Sequence, residues 1–105
     1  MPGPLAGVRI LDATTVVLGP LASQTLGDLG AEVIKVEPPE GDTTRQLGPA
    51  RHAGMAAFFL GCNRNKRSLV LDLKQPSGHA ALMRLARAAD VFIEAMLASG
   101  ATAAP

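Results

Sequence analysis

Phe58-Phe59-Leu60-Gly61-Cys62-Asn63-Arg64-Asn65-Lys66-Arg67-Ser68-Leu69-Val70-Leu71-Asp72-Leu73-Lys74 sets the densest positive charge of the chain against its clearest strand. Ser68 to Leu73 is apolar apart from Ser68 itself and Asp72, the pattern of a strand buried on both faces of a parallel sheet. The loop before it carries Arg64, Lys66 and Arg67 to one end of that sheet, where a phosphorylated ligand would meet several cations at once. A charge run of this kind is equally the ordinary signature of a solvated loop.

Upstream, Val8 to Ala13 reads as a first buried strand, and Thr14 to Leu18 carries the chain off its end. Gly19-Pro20 opens a helix, with proline at the first helical position and glycine as its cap. Ala22, Leu26 and Leu29 fall on one face of that helix, and Gly30 stands where a left-handed C-terminal residue is expected. Ala31 to Glu37 follows as a second strand, stopped by Pro38-Pro39. This strand, helix, strand unit implies a parallel pair joined by a right-handed crossover.

From Pro38 to Met55 the sequence shows no period, and so long a loop in a compact domain is expected to be functional or disordered. Met55 to Gly61 is a short helix. Downstream, Gln75-Pro76 opens another helix whose buried face is Leu82, Leu85, Ala86 and Ala89, with Arg84 and Arg87 toward water. Asp90 to Glu94 is a fourth strand. The expected fold is α/β, an open, mainly parallel, doubly wound sheet of Rossmann type. Ligands bind such sheets at the carboxyl ends of the strands, which directs attention to Thr14–Pro20, Pro38–Gly48 and Lys74–Ser77.

At 105 residues the chain makes at most one small domain, able to bury roughly 65% of its unfolded surface. A formal net charge of +1 excludes the concentrated positive charge of a nucleic-acid binder, and with no Trp or Tyr there is no stacking platform for bases. No stretch approaches the about 18 apolar residues of a membrane span, and the start lacks the basic and apolar regions of an export signal. Cys62 is alone and no Cys/His cluster has metal spacing, so neither a disulfide nor a metal is expected and the cytoplasm is the expected compartment.

Glu37 ends the second strand about 20 residues past a glycine, where a carboxylate binds a ribose hydroxyl in dinucleotide sites. The turn itself, Leu18-Gly19-Pro20-Leu21-Ala22, lacks the glycines that admit a pyrophosphate, which excludes that reading. His52 and His79 have no nucleophile implied beside them, and Asp12, Asp28 and Glu32 are dispersed with nothing pairing them for acid–base work.

The same segments resemble the family III coenzyme A transferases, which include formyl-CoA transferase, carnitine-CoA transferase and α-methylacyl-CoA racemase. The resemblance is carried by Asn63 to Ser68 with Leu71-Asp72-Leu73-Lys74 and Pro76-x-Gly78, by Pro4 to Asp12, by Gly19-Pro20 with Leu26 to Glu37, and by Ala89 to Glu94. It implies CoA transfer between carboxylic acids through an acyl-aspartyl mixed anhydride, or, in the racemase branch, proton transfer by a downstream His and Asp. A carboxylate nucleophile divides one hard exchange into two easier ones. Both sets of catalytic residues lie beyond the matching part, so these 105 residues are expected to be an N-terminal portion with no catalytic residue and no turnover of their own.

What the resemblance carries over is CoA, or its thioester, as ligand. By position Val17 and Leu18 match a segment along the pantetheine arm, and Leu71, Asp72, Leu73 and Lys74 match one that contacts the nucleotide end. The chain departs from the family in having Pro38 where several members have Arg, and Val17 where the transferase has a Gln that guards the intermediate. After Glu94 the family reads Asn-Phe-x-Pro-Gly, whereas this chain continues Ala95-Met96-Leu97 into small residues. Residues 1–94 are therefore expected to form the domain and 95–105 a divergent, disordered tail. Family subunits form interlocked dimers, so a homodimer is implied for the longer protein, and a non-catalytic association module is the rival reading for the chain alone.

Overall fold

The structure, a computed structural model, describes residues 3–15 and 18–94. Short runs of aliphatic and β-branched residues form β1 (Arg9–Ala13), β2 (Glu32–Glu37), β3 (Arg67–Val70) and β4 (Val91–Glu94). Between them lie α1 (Leu18–Asp28), α2 (Ala57–Cys62) and α3 (Pro76–Ala88). All pairings are parallel and the strand order is β3-β2-β1-β4, the expected α/β doubly wound arrangement. The reversal of strand order falls between β1 and β4.

β1 and β2 are central, and their registers decide what each face carries. Ile10 aligns with Val33 and Asp12 with Lys35, so one face begins apolar and turns charged toward the carboxyl ends. Ile10, Ala31 and Val33 form a buried cluster there, with Leu5, Val8, Leu26 and Ile93 packed around it. On the opposite face Leu11 and Val36 are buried, Leu11 beside α3, whose Leu82, Leu85 and Ala86 are half-buried, like Ala89 just after it, while Arg84 and Arg87 are exposed, as the sequence periodicity implies.

Two expectations need correction. The third strand is shorter than Ser68–Leu73 and lies at the sheet edge, with Val70 56% exposed rather than buried on both faces. An apolar run alone does not distinguish an edge strand from a central one. α1 begins at Leu18, which puts Pro20 in its first turn, and its buried face is Pro20, Ser23, Gln24 and Gly27. Ala22 and Leu29 are exposed and Leu26 only half-buried, so the helix turns its small and polar side inward. At its end Gly30 takes the left-handed conformation expected of it, φ +109°.

The reason for the inward polar face is Asp12, fully buried at the centre of a hydrogen-bond network. Its carboxylate accepts from the backbone N–H and hydroxyl of Thr14, from the Ser23 hydroxyl at 2.6 Å and from Lys66 Nζ at 3.0 Å. Lys66 also donates to the Pro20 carbonyl and to Asn63 Oδ1. Burial alone would push the Asp12 carboxyl up, but the bonds from Ser23, Thr14 and Lys66 outweigh it and hold it below the ordinary carboxylate value. Burial pulls the Lys66 ammonium down, and Asp12 opposes that only in part.

Gln24 and Gly27 receive the rest of the same loop. Gln24 Oε1 accepts from Arg64 N at 2.6 Å, and the Gly27 carbonyl accepts from Asn65 Nδ2 at 2.9 Å. Asn65 itself adopts φ +66°, a conformation that asparagine tolerates better than most residues.

The 38–56 segment is ordered by charge as well. Lys35 is 1% exposed, faces Asp42 Oδ2 at 2.9 Å and donates to the Thr14 carbonyl. Asp42 caps a short 3-10 turn, Thr43–Gln46, by accepting from Thr44 N. An antiparallel bridge between Ala50 and Ala56 closes the segment.

Removing Lys66 leaves Asp12 buried without its counter-charge. Lys66→Met should therefore lower the unfolding free energy by about 3–5 kcal/mol, and the neutral pair Asp12→Asn with Lys66→Met should recover most of that loss in urea titrations.

Candidate functional site

A cleft of about 380 Å³ opens beyond the carboxyl ends of β1, β2 and β3. Ala13 and Thr15 border it at the end of β1, Pro38-Pro39-Glu40 form one wall and Leu71-Asp72-Leu73-Lys74 the other, with Val36 and Glu37 where the walls meet. The cavity between α3 and the sheet is about 70 Å³, too small for a nucleotide-sized ligand. The lining is mostly apolar, and Lys74 is its one cation among the described residues.

Each wall is fixed by identifiable contacts. Leu71 N donates to the Glu37 carbonyl at 2.9 Å, which ties the second wall to the end of β2. Asp72 Oδ1 accepts from Lys74 N at 3.1 Å, turning the segment before α3. Gly78, in the first turn of α3, has no room for a Cβ because the Asp72 carbonyl occupies that space. The close approach brings the wall against the helix.

Glu37 is the junction. Its side chain is 2% exposed and accepts from Arg45 Nε on Oε1 and Arg45 Nη2 on Oε2, both at 2.7 Å. It accepts also from Asp42 N at 2.9 Å and from the Ser68 hydroxyl. The bond from Arg45 leads the effects that hold its carboxyl down, from 4.5 to about 2, against the opposing effect of burial. With both oxygens occupied, Glu37 has no capacity left for a ribose hydroxyl, in keeping with the exclusion of a dinucleotide site. The Arg45 guanidinium is stacked 3.9 Å from the centre of the Phe59 ring.

Of the residues matched to CoA contacts, the structure brings Leu71, Asp72, Leu73 and Lys74 together in the cleft wall. Leu18, the first residue of α1, is 86% exposed and does not line the cleft, and Val17 lies outside the described residues. The basic loop is at the opposite end of the sheet from the cleft, because it precedes β3 and so sits at the amino ends of the strands. Arg64 is spent on Asp28 at 2.6 Å and Lys66 on Asp12. Sequence reading left Arg45 and Ser68 without a role. The only local signal was Asp42 placed two residues before Thr44, a capping pattern. Among the described residues no group of three His, Cys, Asp or Glu is arranged to hold a metal, and no helix is long and apolar enough to cross a membrane.

Because the Glu37 value is lower in the fold than in the unfolded chain, its contribution to stability is complete above pH 4.5 and is lost as pH falls toward 2. Glu37→Gln should weaken the fold at neutral pH, by roughly 2 kcal/mol for losing hydrogen bonds to a charged group, and flatten that acid limb in unfolding curves recorded from pH 2 to 7.

The sequence matches CoA-transferase family III over residues 5–103. It is 52% identical over 92 residues to the succinyl-CoA:glutarate CoA-transferase of Mus musculus, covering 87% of this chain and 21% of that protein. It is 49% identical over 98 residues to the succinate–glutarate CoA-transferase of Agrobacterium fabrum, covering 87% of this chain and 24% of that one. Among solved structures, a CaiB/BaiF family protein from Brucella suis superposes with a TM-score of 0.84 at 45% identity, over 90% of this chain and 26% of that chain. The chain thus spans about a fifth to a quarter of the length of these relatives, and it belongs to CoA-transferase family III.

Proposed function

We propose that this chain supplies the CoA-binding part of an enzyme that transfers CoA between carboxylic acids. The observation that carries the reading is the cleft wall Leu71–Lys74, the segment matched to the nucleotide end of CoA, set at the carboxyl ends of three parallel strands. The mostly apolar lining suits the pantetheine arm, which presents long hydrocarbon stretches between its amides.

Turnover additionally requires a carboxylate that accepts the acyl group from the thioester, releases CoA as the thiolate and passes the acyl group on. The family resemblance assigns the acyl-carrying aspartate to polypeptide that the longer relatives carry beyond the matched part, and the acyl acceptor would be read there too. In the same reading the whole protein is a cytoplasmic homodimer. A second reading, a non-catalytic association module, is favoured by the outward face of α1 and the residue after it, where Leu18, Leu21 and Leu29 are exposed.

With Pro38 at the position where several family members have Arg, recognition of phosphate in the cleft falls to Lys74. Calorimetric titration of the chain with CoA should give micromolar binding that weakens with salt and with removal of the 3′-phosphate. Lys74→Gln should weaken it by roughly tenfold, the loss of one hydrogen bond to a charged group, and reduce the salt dependence. Absence of binding by a folded sample, or a dimer indifferent to CoA, would favour the association module instead.

A further inference from the structure

We infer that Arg45, which lines no part of the cleft, is the positioning residue that sets the distance between its two walls; the inference rests on the CoA-binding reading above. Both walls leave from Glu37. Pro38–Glu40 follows it directly along the chain, and Leu71 is held to it by the bond from Leu71 N to the Glu37 carbonyl. The direction of Glu37 is in turn fixed from behind, on the side away from the cleft, by the two-pronged contact of Arg45.

Arg45 is itself held at three further points. Nη1 donates to the Gly54 carbonyl at 3.2 Å, the guanidinium stacks on Phe59, and the residue belongs to the 3-10 turn that Asp42 caps. Asp42 N and the Ser68 hydroxyl complete the set around Glu37, so one carboxylate joins the end of β2, the 38–56 segment and β3. A planar fork meets both carboxylate oxygens through two parallel N–H bonds, whereas a lysine ammonium is a flexible point charge that does not fix the plane of the carboxylate. Arg45→Lys therefore keeps the charge and loses the orientation.

A purely structural role predicts something different, and two readouts separate the cases. CoA affinity is measured by calorimetry, and backbone amide exchange is followed at Leu71 with Ile10 and Val33 as references for the fold as a whole. Arg45→Lys should weaken CoA binding by roughly tenfold, since small misplacements of ligand-facing groups are costly, and should speed exchange at Leu71 while Ile10 and Val33 stay protected. The neutral pair Glu37→Gln with Arg45→Met removes the buried charge problem and should restore unfolding stability, yet leave affinity and Leu71 protection low. That pair also carries the test should Arg45→Lys fail to fold.

Folded variants with the affinity and Leu71 protection of the unaltered chain would overturn the inference while leaving the CoA reading intact. If the unaltered chain takes no CoA, the functional reading fails, and the inference is then decided by exchange alone: retained protection at Leu71 in the variants overturns it, and selective loss upholds the positioning of the wall.

Discussion

The carboxyl-end part of one face of this sheet depends on keeping buried carboxylates paired. Asp12, Glu37 and Asp42 are at most 2% exposed, and each meets a cation that comes from a different stretch of chain: Lys66, Arg45 and Lys35. Desolvating a charge costs several kcal/mol unless partners answer it, so none of these acids tolerates the alternative placements that a hydrophobic contact would accept. The pairs consequently dictate where the 38–56 segment and the 63–66 turn lie. They also dictate the unusual inward face of α1, because Ser23 and the Pro20 carbonyl must reach the Asp12–Lys66 centre. A leucine at either Ser23 or Gln24 would bury more apolar area but would leave donors and acceptors of the network unanswered.

The two faces of the sheet are thereby held in different ways. Under α3 the contacts are apolar and loose: no residue of that helix is fully buried, and a cavity of about 70 Å³ remains beneath it. On the opposite face an apolar cluster of Ile10, Ala31 and Val33 gives way toward the carboxyl ends to hydrogen-bonded ion pairs, which are specific in angle and register. The cleft lies where that face ends. Its second wall takes its position from the bond between Leu71 N and the Glu37 carbonyl and from the close approach of Asp72 to Gly78 of α3.

Legibility from sequence follows the same division. The parallel sheet, the order of its elements and the buried face of α3 all express alternation or helical period, and those were readable. The burial of α1 was not, because its inward residues are proline, serine, glutamine and glycine, and hydrophobic period points to Ala22, Leu26 and Leu29 instead. Lys66 looked like one member of a charge run because its partner Asp12 is 54 positions away. β3 looked central because Leu69, Val70, Leu71 and Leu73 form an apolar run, yet the strand ends at Val70 and the later leucines belong to the cleft wall. That is also why Leu71 to Lys74 could be matched to a ligand contact by resemblance and not by pattern: nothing in the run itself marks the point where strand becomes wall.

On the proposed function, a ligand that must remain bound through two successive acyl transfers would set a particular requirement on its site. The nucleotide end has to be held while the thiol end is first esterified, then free, then esterified again. Mobile walls would let CoA escape at the intermediate stage, when its thioester no longer anchors it. On the proposed function, the Arg45–Glu37 pair answers that requirement: its two charges are satisfied by one another, so they steady the walls without competing with the substrate's own charges, while Glu40, Asp72 and Lys74 are charged side chains of the cleft lining. On the same proposal, phosphate recognition would rest on Lys74 at the rim, where a flexible ammonium can follow the anion without disturbing the wall that carries it.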